Sequence, residues 1–243
     1  VVLTLDAELQ IYAAERLGSQ SGSVVVMDVH TGDVLAMAST PSFNPNAFNL
    51  GIDHAEWREL INNPRKPLID KSIRGQYPPG STFKMMVAMA ALDSGVIATD
   101  HEVFCSGETK VGSHIFHCWK KGGHGRLNLT QAIQRSCDVH FWDIARRTGV
   151  DRIAEMAVRF GLGSRSGLGV GGERGGLIPT KAWKLATIGE PWQVGETLNT
   201  GIGQGFVLTT PLQLATMTAQ IANGGYRLRP KLIHAPVDAS KRA

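Results

Sequence analysis

The sequence predicts an α+β domain in which an antiparallel sheet is flanked by helices. Two runs rich in β-branched and apolar residues, 23–29 and 33–38, enclose a short turn at Gly32, which is the pattern of a β-hairpin. Several other segments carry apolar residues at helical spacing, and long loops rich in proline and glycine separate them. A strand pair with helices packed on it is typical of the α+β class.

The helices are predicted, in chain order, at residues 7–17, 54–62, 81–92, 129–136, 138–147, 151–160 and from 211 towards 223. Asp6 is a favourable N-cap for the first of them. Thr210 followed by Pro211 is the corresponding start signal for the last. Residues 40–80 and 164–179 are predicted to be loops, because proline and glycine recur along them.

Composition indicates one globular domain over residues 1–243, since 42% of the residues are hydrophobic and 19% are charged. The net charge of +4 is scattered along the chain without a basic block, which argues against nucleic acid as a partner. The chain begins inside a strand-like pattern without an initiating Met. We therefore expect an excised piece of a longer protein, in which missing targeting signals carry no information about location.

Ser81 and Lys84 form the first candidate catalytic pair. Ser81 follows a Pro-Gly break at the start of an apolar helical run, and Lys84 lies three residues later. Residues i and i+3 share a helix face, so the lysine nitrogen is expected to reach the serine hydroxyl. A serine hydroxyl needs a nearby base, and a helix N-terminus favours developing negative charge. The pair alone is a weak signal, because a serine at a helix start is often only a cap.

Ser136, Cys137 and Asp138 form the second candidate motif, at the join of two predicted helices. A second hydroxyl can relay protons between a lysine and a leaving group. Asp138 can hold either the lysine or an amide of the substrate. By itself this motif is weaker than the first, because Ser and Asp near a helix start are usually caps.

Together the two motifs resemble the S-x-x-K and S-x-N-like motifs of penicillin-binding proteins and β-lactamases. The flanking sequence resembles the class B penicillin-binding proteins, especially their elongation-type transpeptidases. Asp138 in place of asparagine is similar to that subgroup and unlike a β-lactamase. The similarity extends from Val1 to about Pro230 and includes Q-Y-P-P-G-S-T-F-K at 76–84, R-S-C-D at 135–138 and G-E-T-L-N-T-G-I-G-Q-G at 195–205.

This resemblance implies the penicillin-binding protein and β-lactamase-like transpeptidase fold and a peptidoglycan cross-linking reaction. Ser81 would attack the penultimate D-alanine carbonyl of a peptidoglycan stem peptide, and an amine from a neighbouring strand would resolve the acyl-enzyme. β-Lactam antibiotics would acylate the same serine. The implied location is the periplasmic face of the bacterial inner membrane, with an anchor outside this chain. The implied partners are a membrane glycan polymerase and elongation-complex proteins, and no catalytic cofactor is implied.

The third motif of the family, Lys-Thr-Gly or Lys-Ser-Gly, does not occur in the 243 residues. In the family it lies on a core strand beyond the segment that resembles residues 223–225. We therefore expect the transpeptidase domain of residues 1–243 to be truncated before this motif, with C-terminal strands of the sheet missing from the chain. The isolated chain is expected to be inactive or to react poorly with β-lactams.

Cys105, Cys118, His124 and Cys137 are the candidate metal ligands. All three cysteines lie between positions 105 and 137, and glycines flank His124. Three thiolates and one imidazole are a common ligand set for structural Zn²⁺, although this spacing is not that of a standard zinc finger. Two alternatives remain open: a Cys105–Cys118 disulfide with Cys137 buried and free, or three unpaired cysteines that act as small hydrophobic residues.

A transpeptidase is the leading functional prediction. The nearest alternative is a β-lactam hydrolase or sensor on the same fold, which would need a group that directs water at the acyl-enzyme. No glutamate is convincingly placed for that role in the sequence. The other alternative is a non-catalytic peptidoglycan-binding scaffold, which the missing third motif favours and the two paired polar motifs oppose.

Overall fold

The computed structural model describes residues 1–234, and residues 235–243 of the predicted domain lie outside the described part. The helices are α1 (Ala7–Leu17), α2 (Asn46–Leu50), α3 (His54–Asn62), α4 (Lys84–Asp93), α5 (Leu129–Gln134), α6 (Asp138–Thr148), α7 (Val150–Arg159), α8 (Lys181–Ile188), α9 (Val194–Gly201) and α10 (Pro211–Ala222). The strands are β1 (Gly22–Met27), β2 (Val34–Thr40), β3 (Glu102–Cys105), β4 (Glu108–Val111), β5 (His114–His117) and β6 (Gly125–Asn128).

The chain divides into two compact units. Within the described residues, one contains 1–76, 164–175 and 209–234, and the other contains 77–163 and 176–208. Each unit combines helices with antiparallel strand pairs, so the predicted α+β class is confirmed. Among residues 1–234, no helix combines the length and the apolar composition that crossing a bilayer requires.

The first unit is built on the predicted hairpin. β1 and β2 pair antiparallel along their whole length, with one irregularity beside Met27. Ala13 of α1 packs against Ala36 and Ala38 of β2 in one apolar cluster. A second cluster includes Leu212 of α10. Both helices therefore bury apolar side chains beside the hairpin, and burial of this kind is the main favourable contribution to folding.

The second unit is organised around α4, most of whose side chains are buried. Helices α5, α6 and α7 contact α4, and α6 also packs against α9. The α6–α9 approach is close, because a Cβ atom at Gly201 would lie 2.6 Å from the Cβ of Ala145. The short pairs β3–β6 and β4–β5 complete the unit.

The predicted helices differ from the observed ones mainly at their ends. α1 and α3 have the predicted bounds, and α10 begins at Pro211 with Thr210 as its cap, as predicted. The helix predicted from residue 81 instead begins with a 3₁₀ turn, Gly80–Phe83, and becomes α-helical at Lys84. The helix predicted to reach residue 136 ends at Gln134, because Ser136 adopts a positive φ of 49° that an α-helix cannot contain.

Gly203 is a position where two backbone segments of the second unit approach closely, and it supplies a test of the packing. Gly80 donates its N–H to the Gly203 carbonyl at 3.0 Å, and a Cβ atom at position 203 would lie 2.2 Å from the Gly80 oxygen. We expect Gly203→Ala to lower the free energy of unfolding by about 2–5 kcal/mol, because a positive φ costs ~1–2 kcal/mol and overpacking adds ~1–3 kcal/mol. Urea unfolding monitored by circular dichroism measures the loss.

Gly189→Ala is the matched control. Gly189 also has a positive φ, of +82°, but nothing lies within 4 Å of a Cβ atom built there. This variant should show only the backbone cost of about 1–2 kcal/mol. Equal losses in the two variants would contradict the close approach between Gly203 and Gly80.

Candidate active site

The turn that carries Ser81 is held in place by its neighbours on both sides. Gly80 has a positive φ of 60° before it, and Phe83 is fully buried after it. Thr82 donates its hydroxyl to the Pro79 carbonyl at 2.8 Å. Ser81 itself is exposed. The sequence therefore places an accessible hydroxyl at the start of a helix whose following turns are buried.

Lys84 is only 2% exposed, although its side chain ends in an amine. Its Nζ atom contacts three acceptors, all from one short segment: the Ser136 carbonyl at 2.9 Å, the Ser136 hydroxyl at 3.0 Å and Asp138 Oδ1 at 2.6 Å. The Phe141 ring adds a cation–π contact, with 5.4 Å from Nζ to the ring centroid. Because a buried cation is costly without partners, these contacts explain how the lysine is accommodated.

Ser136 connects Lys84 to Ser81. Its hydroxyl accepts from Lys84 Nζ and donates to the Ser81 hydroxyl at 2.8 Å. The Lys84 backbone N–H donates to the Ser81 carbonyl, but among residues 1–234 the Lys84 side chain makes no hydrogen bond to the Ser81 hydroxyl. The contact expected between the i and i+3 side chains is thus replaced by a three-member chain, in which a second serine lies between the lysine and the exposed hydroxyl.

The backbone conformation around Ser136 determines the orientation of its side chain. α5 ends at Gln134 and α6 begins at Asp138, so the residues between them form a tight turn. Within that turn, Cys137 donates its N–H to Ala132 O at 2.9 Å, and Ser136 has φ of +49°. A non-glycine residue in this region carries strain of order 1–3 kcal/mol. The strained conformation directs both the carbonyl and the hydroxyl of Ser136 towards Lys84.

A cleft of about 570 Å³ opens beside this network and is lined by Ser81, Ser136, Asp138, Trp119, Ile202 and Gln204, among others. Trp119 donates its backbone N–H to Asp138 Oδ2 at 3.1 Å, so the two carboxylate oxygens have different partners. Sequence reasoning did not select the last three residues of this set. Ile202 and Gln204 carried a signal, since both lie in the glycine-rich segment 195–205 that the family resemblance includes, whereas Trp119 carried none.

The four candidate metal ligands converge in the structure. The Sγ atoms of Cys105, Cys118 and Cys137 and a ring nitrogen of His124 all lie within 4.8 Å of one another. All three cysteines are buried and free, so no disulfide joins them. His124 Nδ1 is 3.5 Å from Cys105 Sγ and 3.7 Å from Cys118 Sγ, and its Nε2 is buried without a partner among the described residues.

The distances between the four ligand atoms would fit a tetrahedrally coordinated ion if the cluster contracted slightly. Zn–S bonds of about 2.3 Å and a Zn–N bond of about 2.0 Å place neighbouring ligand atoms roughly 3.5–3.8 Å apart. The two nitrogen–sulfur distances already lie in this range, whereas the widest separation of 4.8 Å exceeds it. The donor set of three thiols and one imidazole therefore suits Zn²⁺.

The pKa shifts of His124 and Cys137 have opposite effects on metal binding. Burial lowers the pKa of His124, and the charges of Lys120 and Arg135 lower it further, so the imidazole is neutral and can bind a metal. Burial raises the pKa of the Cys137 thiol to about 12, with Cys105 contributing in the same direction. A metal ion would have to displace that proton, because thiolates and not thiols are the ligands.

Comparison with known proteins gives close relatives. The chain is 40% identical over 235 residues to the peptidoglycan D,D-transpeptidase MrdA of Acinetobacter baumannii, which covers 96% of this chain and 35% of the relative. It spans about a third of the length of the curated relatives it matches.

Solved structures of penicillin-binding proteins are also similar to this chain. The Pseudomonas aeruginosa PBP2 structure, in complex with WCK 5153, superposes with a TM-score of 0.93 at 42% identity, covering 97% of this chain and 52% of that one. The Helicobacter pylori complex between PBP2 and MreC gives a TM-score of 0.92 at 34% identity, covering 96% of this chain and 44% of that one. The model of the penicillin-binding protein transpeptidase domain matches residues 22–243, and the chain therefore belongs to the penicillin-binding protein transpeptidase family.

Proposed function

We propose that residues 1–243 form the greater part of the catalytic domain of an elongation-type peptidoglycan D,D-transpeptidase, with Ser81 as its nucleophile. The observation that carries this proposal is the hydrogen-bonded chain from Lys84 Nζ through Ser136 Oγ to Ser81 Oγ, with distances of 3.0 and 2.8 Å. It joins a buried lysine to an exposed hydroxyl in a cleft, which is the arrangement an activated serine needs. The family membership and the relatives' names support the same reaction.

In the acylation step, Ser81 Oγ attacks the carbonyl carbon of the penultimate D-alanine of a stem peptide. In the structure Lys84 Nζ donates to Ser136 and Ser136 donates to Ser81, so this step requires Lys84 as a neutral amine and both hydroxyls turned the other way. The Ser81 proton then moves to Ser136 Oγ while the Ser136 proton moves to Lys84 Nζ. The same path in reverse delivers a proton to the leaving nitrogen as the C–N bond breaks. An ester between Ser81 and the shortened peptide remains, and D-alanine departs.

The second step reverses these roles. An amine of an acceptor stem peptide attacks the ester carbonyl, and its proton is taken up along the Ser136–Lys84 path. The ester bond to Ser81 breaks, the hydroxyl recovers its proton, and a new amide bond joins the two peptides. Backbone N–H groups at the start of the Ser81 helix lack intrahelical acceptors and can stabilise the oxyanion in both steps.

The lining of the cleft favours transfer to an amine over hydrolysis. Within the described residues, the cleft is lined by a single carboxylate, that of Asp138. Its two oxygens already accept from Lys84 and from the Trp119 backbone. A β-lactam hydrolase would need a free base to activate water, and this supports a transpeptidase that β-lactams acylate and block.

Acylation of the full-length protein that contains this chain tests the roles of Ser81 and Lys84. Benzylpenicillin should add once to the wild-type protein and not to Ser81→Ala, as seen by intact-mass spectrometry. Lys84→Ala should slow acylation by ~10²–10⁴-fold, the usual loss when a general base is removed. Lys181→Ala is the control, because Lys181 is exposed and forms an ion pair with Asp151 at 3.6 Å, away from the relay.

An adduct that persists in Ser81→Ala would remove the assignment of the nucleophile. Near-normal rates in Lys84→Ala would place the base elsewhere in the cleft.

We propose further that Cys105, Cys118, His124 and Cys137 hold a structural Zn²⁺, while catalysis itself needs no cofactor. When bound, the ion would link the end of β3 and the segment before β6 to the turn that carries Ser136. Support comes from the convergence of the four ligand atoms and from the position of His124 Nδ1, 3.5 Å from Cys105 Sγ and 3.7 Å from Cys118 Sγ. Fixing this turn matters, since a misplacement of 1 Å can cost ~10²-fold in rate.

Metal analysis tests this assignment without relying on activity. We expect one zinc per molecule of purified full-length protein by inductively coupled plasma mass spectrometry. Cys118→Ser should lose most of the metal and unfold at lower temperature. His114→Ala keeps the metal, because His114 is exposed on β5 and lies outside the cluster. A metal-free wild-type protein whose melting temperature is unchanged by Cys118→Ser would contradict the proposal.

The proposed partners follow from the relatives. The Helicobacter pylori PBP2 was solved in complex with MreC. We propose that the protein containing this chain likewise works with elongation-complex proteins and a membrane glycan polymerase. Its place would be the periplasmic face of the bacterial inner membrane, with the anchor in a segment outside this chain.

A further inference from the structure

The ring of Trp119 is exposed, but its polar atom, the indole nitrogen, is hydrogen-bonded to the protein backbone. The residue is 64% exposed, yet its indole N–H lies 3.2 Å from the Arg135 carbonyl oxygen and 3.1 Å from the Ser136 carbonyl oxygen. An exposed indole can donate to water at no cost, so two consecutive backbone acceptors fix the orientation of this ring rather than rescue a buried group. Trp119 therefore forms hydrogen bonds with the turn between α5 and α6 from the side of the cleft.

The Ser136 carbonyl accepts hydrogen bonds from both Trp119 and Lys84. The Ser136 oxygen accepts from Trp119 Nε1 at 3.1 Å and from Lys84 Nζ at 2.9 Å. Ser136 has the positive φ of 49° described above, a conformation that persists only where the surroundings enforce it. The indole donor is one of the contacts that enforce it.

A second contact ties Trp119 to the other end of the same turn. Its backbone N–H donates to Asp138 Oδ2, while Asp138 Oδ1 contacts Lys84. Trp119 thus contacts both residues that flank Cys137, and it directly follows Cys118 in the chain. Its ring also meets the His124 ring edge-on, with centroids 5.2 Å apart.

We propose that Trp119 is a positioning residue for proton transfer between Ser81 and Lys84, acting through Ser136. Its indole N–H keeps the Ser136 turn in the orientation that leaves the hydroxyl within hydrogen-bond distance of both partners. The inference rests on the proposed function. Loss of this donor lets the strained turn relax, which lengthens the two hydrogen bonds of the relay while Ser81 and Lys84 remain in place.

The test is Trp119→Phe in the full-length protein, with acylation by a fluorescent penicillin followed by stopped flow. Phenylalanine keeps an aromatic ring at the cleft and removes the N–H. The acylation rate constant should fall by roughly 10-fold or more, in line with the ~10² that a 1 Å displacement can cost. The dissociation constant of the non-covalent complex should change by less than about 3-fold, because the lost N–H is bonded to backbone carbonyls and a phenyl ring still lines the cleft.

Trp192→Phe is the matched control. It also loses an indole hydrogen bond, of 2.8 Å to Thr197 Oγ1, in a part of the second unit outside the relay. This variant should acylate at the wild-type rate. Substituting benzothienylalanine at position 119, which replaces the N–H by sulfur and preserves the ring shape, gives the same test if Trp119→Phe folds poorly.

A double-mutant cycle separates positioning from a general structural effect. If Trp119 acts through Ser136, then Trp119→Phe should slow acylation further by less than about 2-fold in a Ser136→Ala background. Equal slowing in both backgrounds, or wild-type rates in Trp119→Phe, would overturn the inference. A wild-type protein that benzylpenicillin does not acylate would instead overturn the proposed function on which the inference rests.

Discussion

The buried amine of Lys84 constrains the candidate site more than any other group, because its three polar partners all come from the segment Ser136–Asp138. Burying an ammonium costs several kcal/mol unless acceptors surround it. The turn between α5 and α6 is therefore required to present a carbonyl, a hydroxyl and a carboxylate at one point. The strained φ of Ser136 and the start of α6 at Asp138 both follow from that requirement. Within the described residues, the Lys84 side chain is connected to the Ser81 hydroxyl through the Ser136 hydroxyl.

The same turn also separates two chemically different environments. Cys137 points its thiol towards Cys105 and His124, whereas the residues on either side of it, Ser136 and Asp138, face the cleft and Lys84. One peptide bond separates Cys137 from each of these two residues. Trp119 strengthens this link, since it contacts both sides of the turn. Residues proposed to bind metal and residues proposed to act in catalysis therefore alternate here along the chain.

The sequence correctly predicted the features that depend on residues close together in the chain, such as helix starts. Asp6 set the start of α1, and Thr210 with Pro211 set the start of α10, because caps act within one helical turn. The pair Ser81 and Lys84 was found by its spacing. The position of Ser136 between them was not, since it depends on how α4 and α6 pack across 52 residues of chain. Strands β3 to β6 were missed because each has four residues, too few for a periodic pattern. Helices α8 and α9 were missed as well, and α9 contains two glycines.

A proton inventory of acylation tests the central claim, that Ser136 carries the proton between Ser81 and Lys84. The rate constant for acylation of the full-length protein by benzylpenicillin would be measured in mixtures of H₂O and D₂O. Two protons move together along the relay, so the rate constant of the wild-type protein should fall along a curve as the deuterium fraction rises. In Ser136→Ala, where one bridging hydroxyl is gone, the dependence should become a straight line. A straight line in the wild-type protein, with a slope that Ser136→Ala leaves unchanged, would contradict the relay.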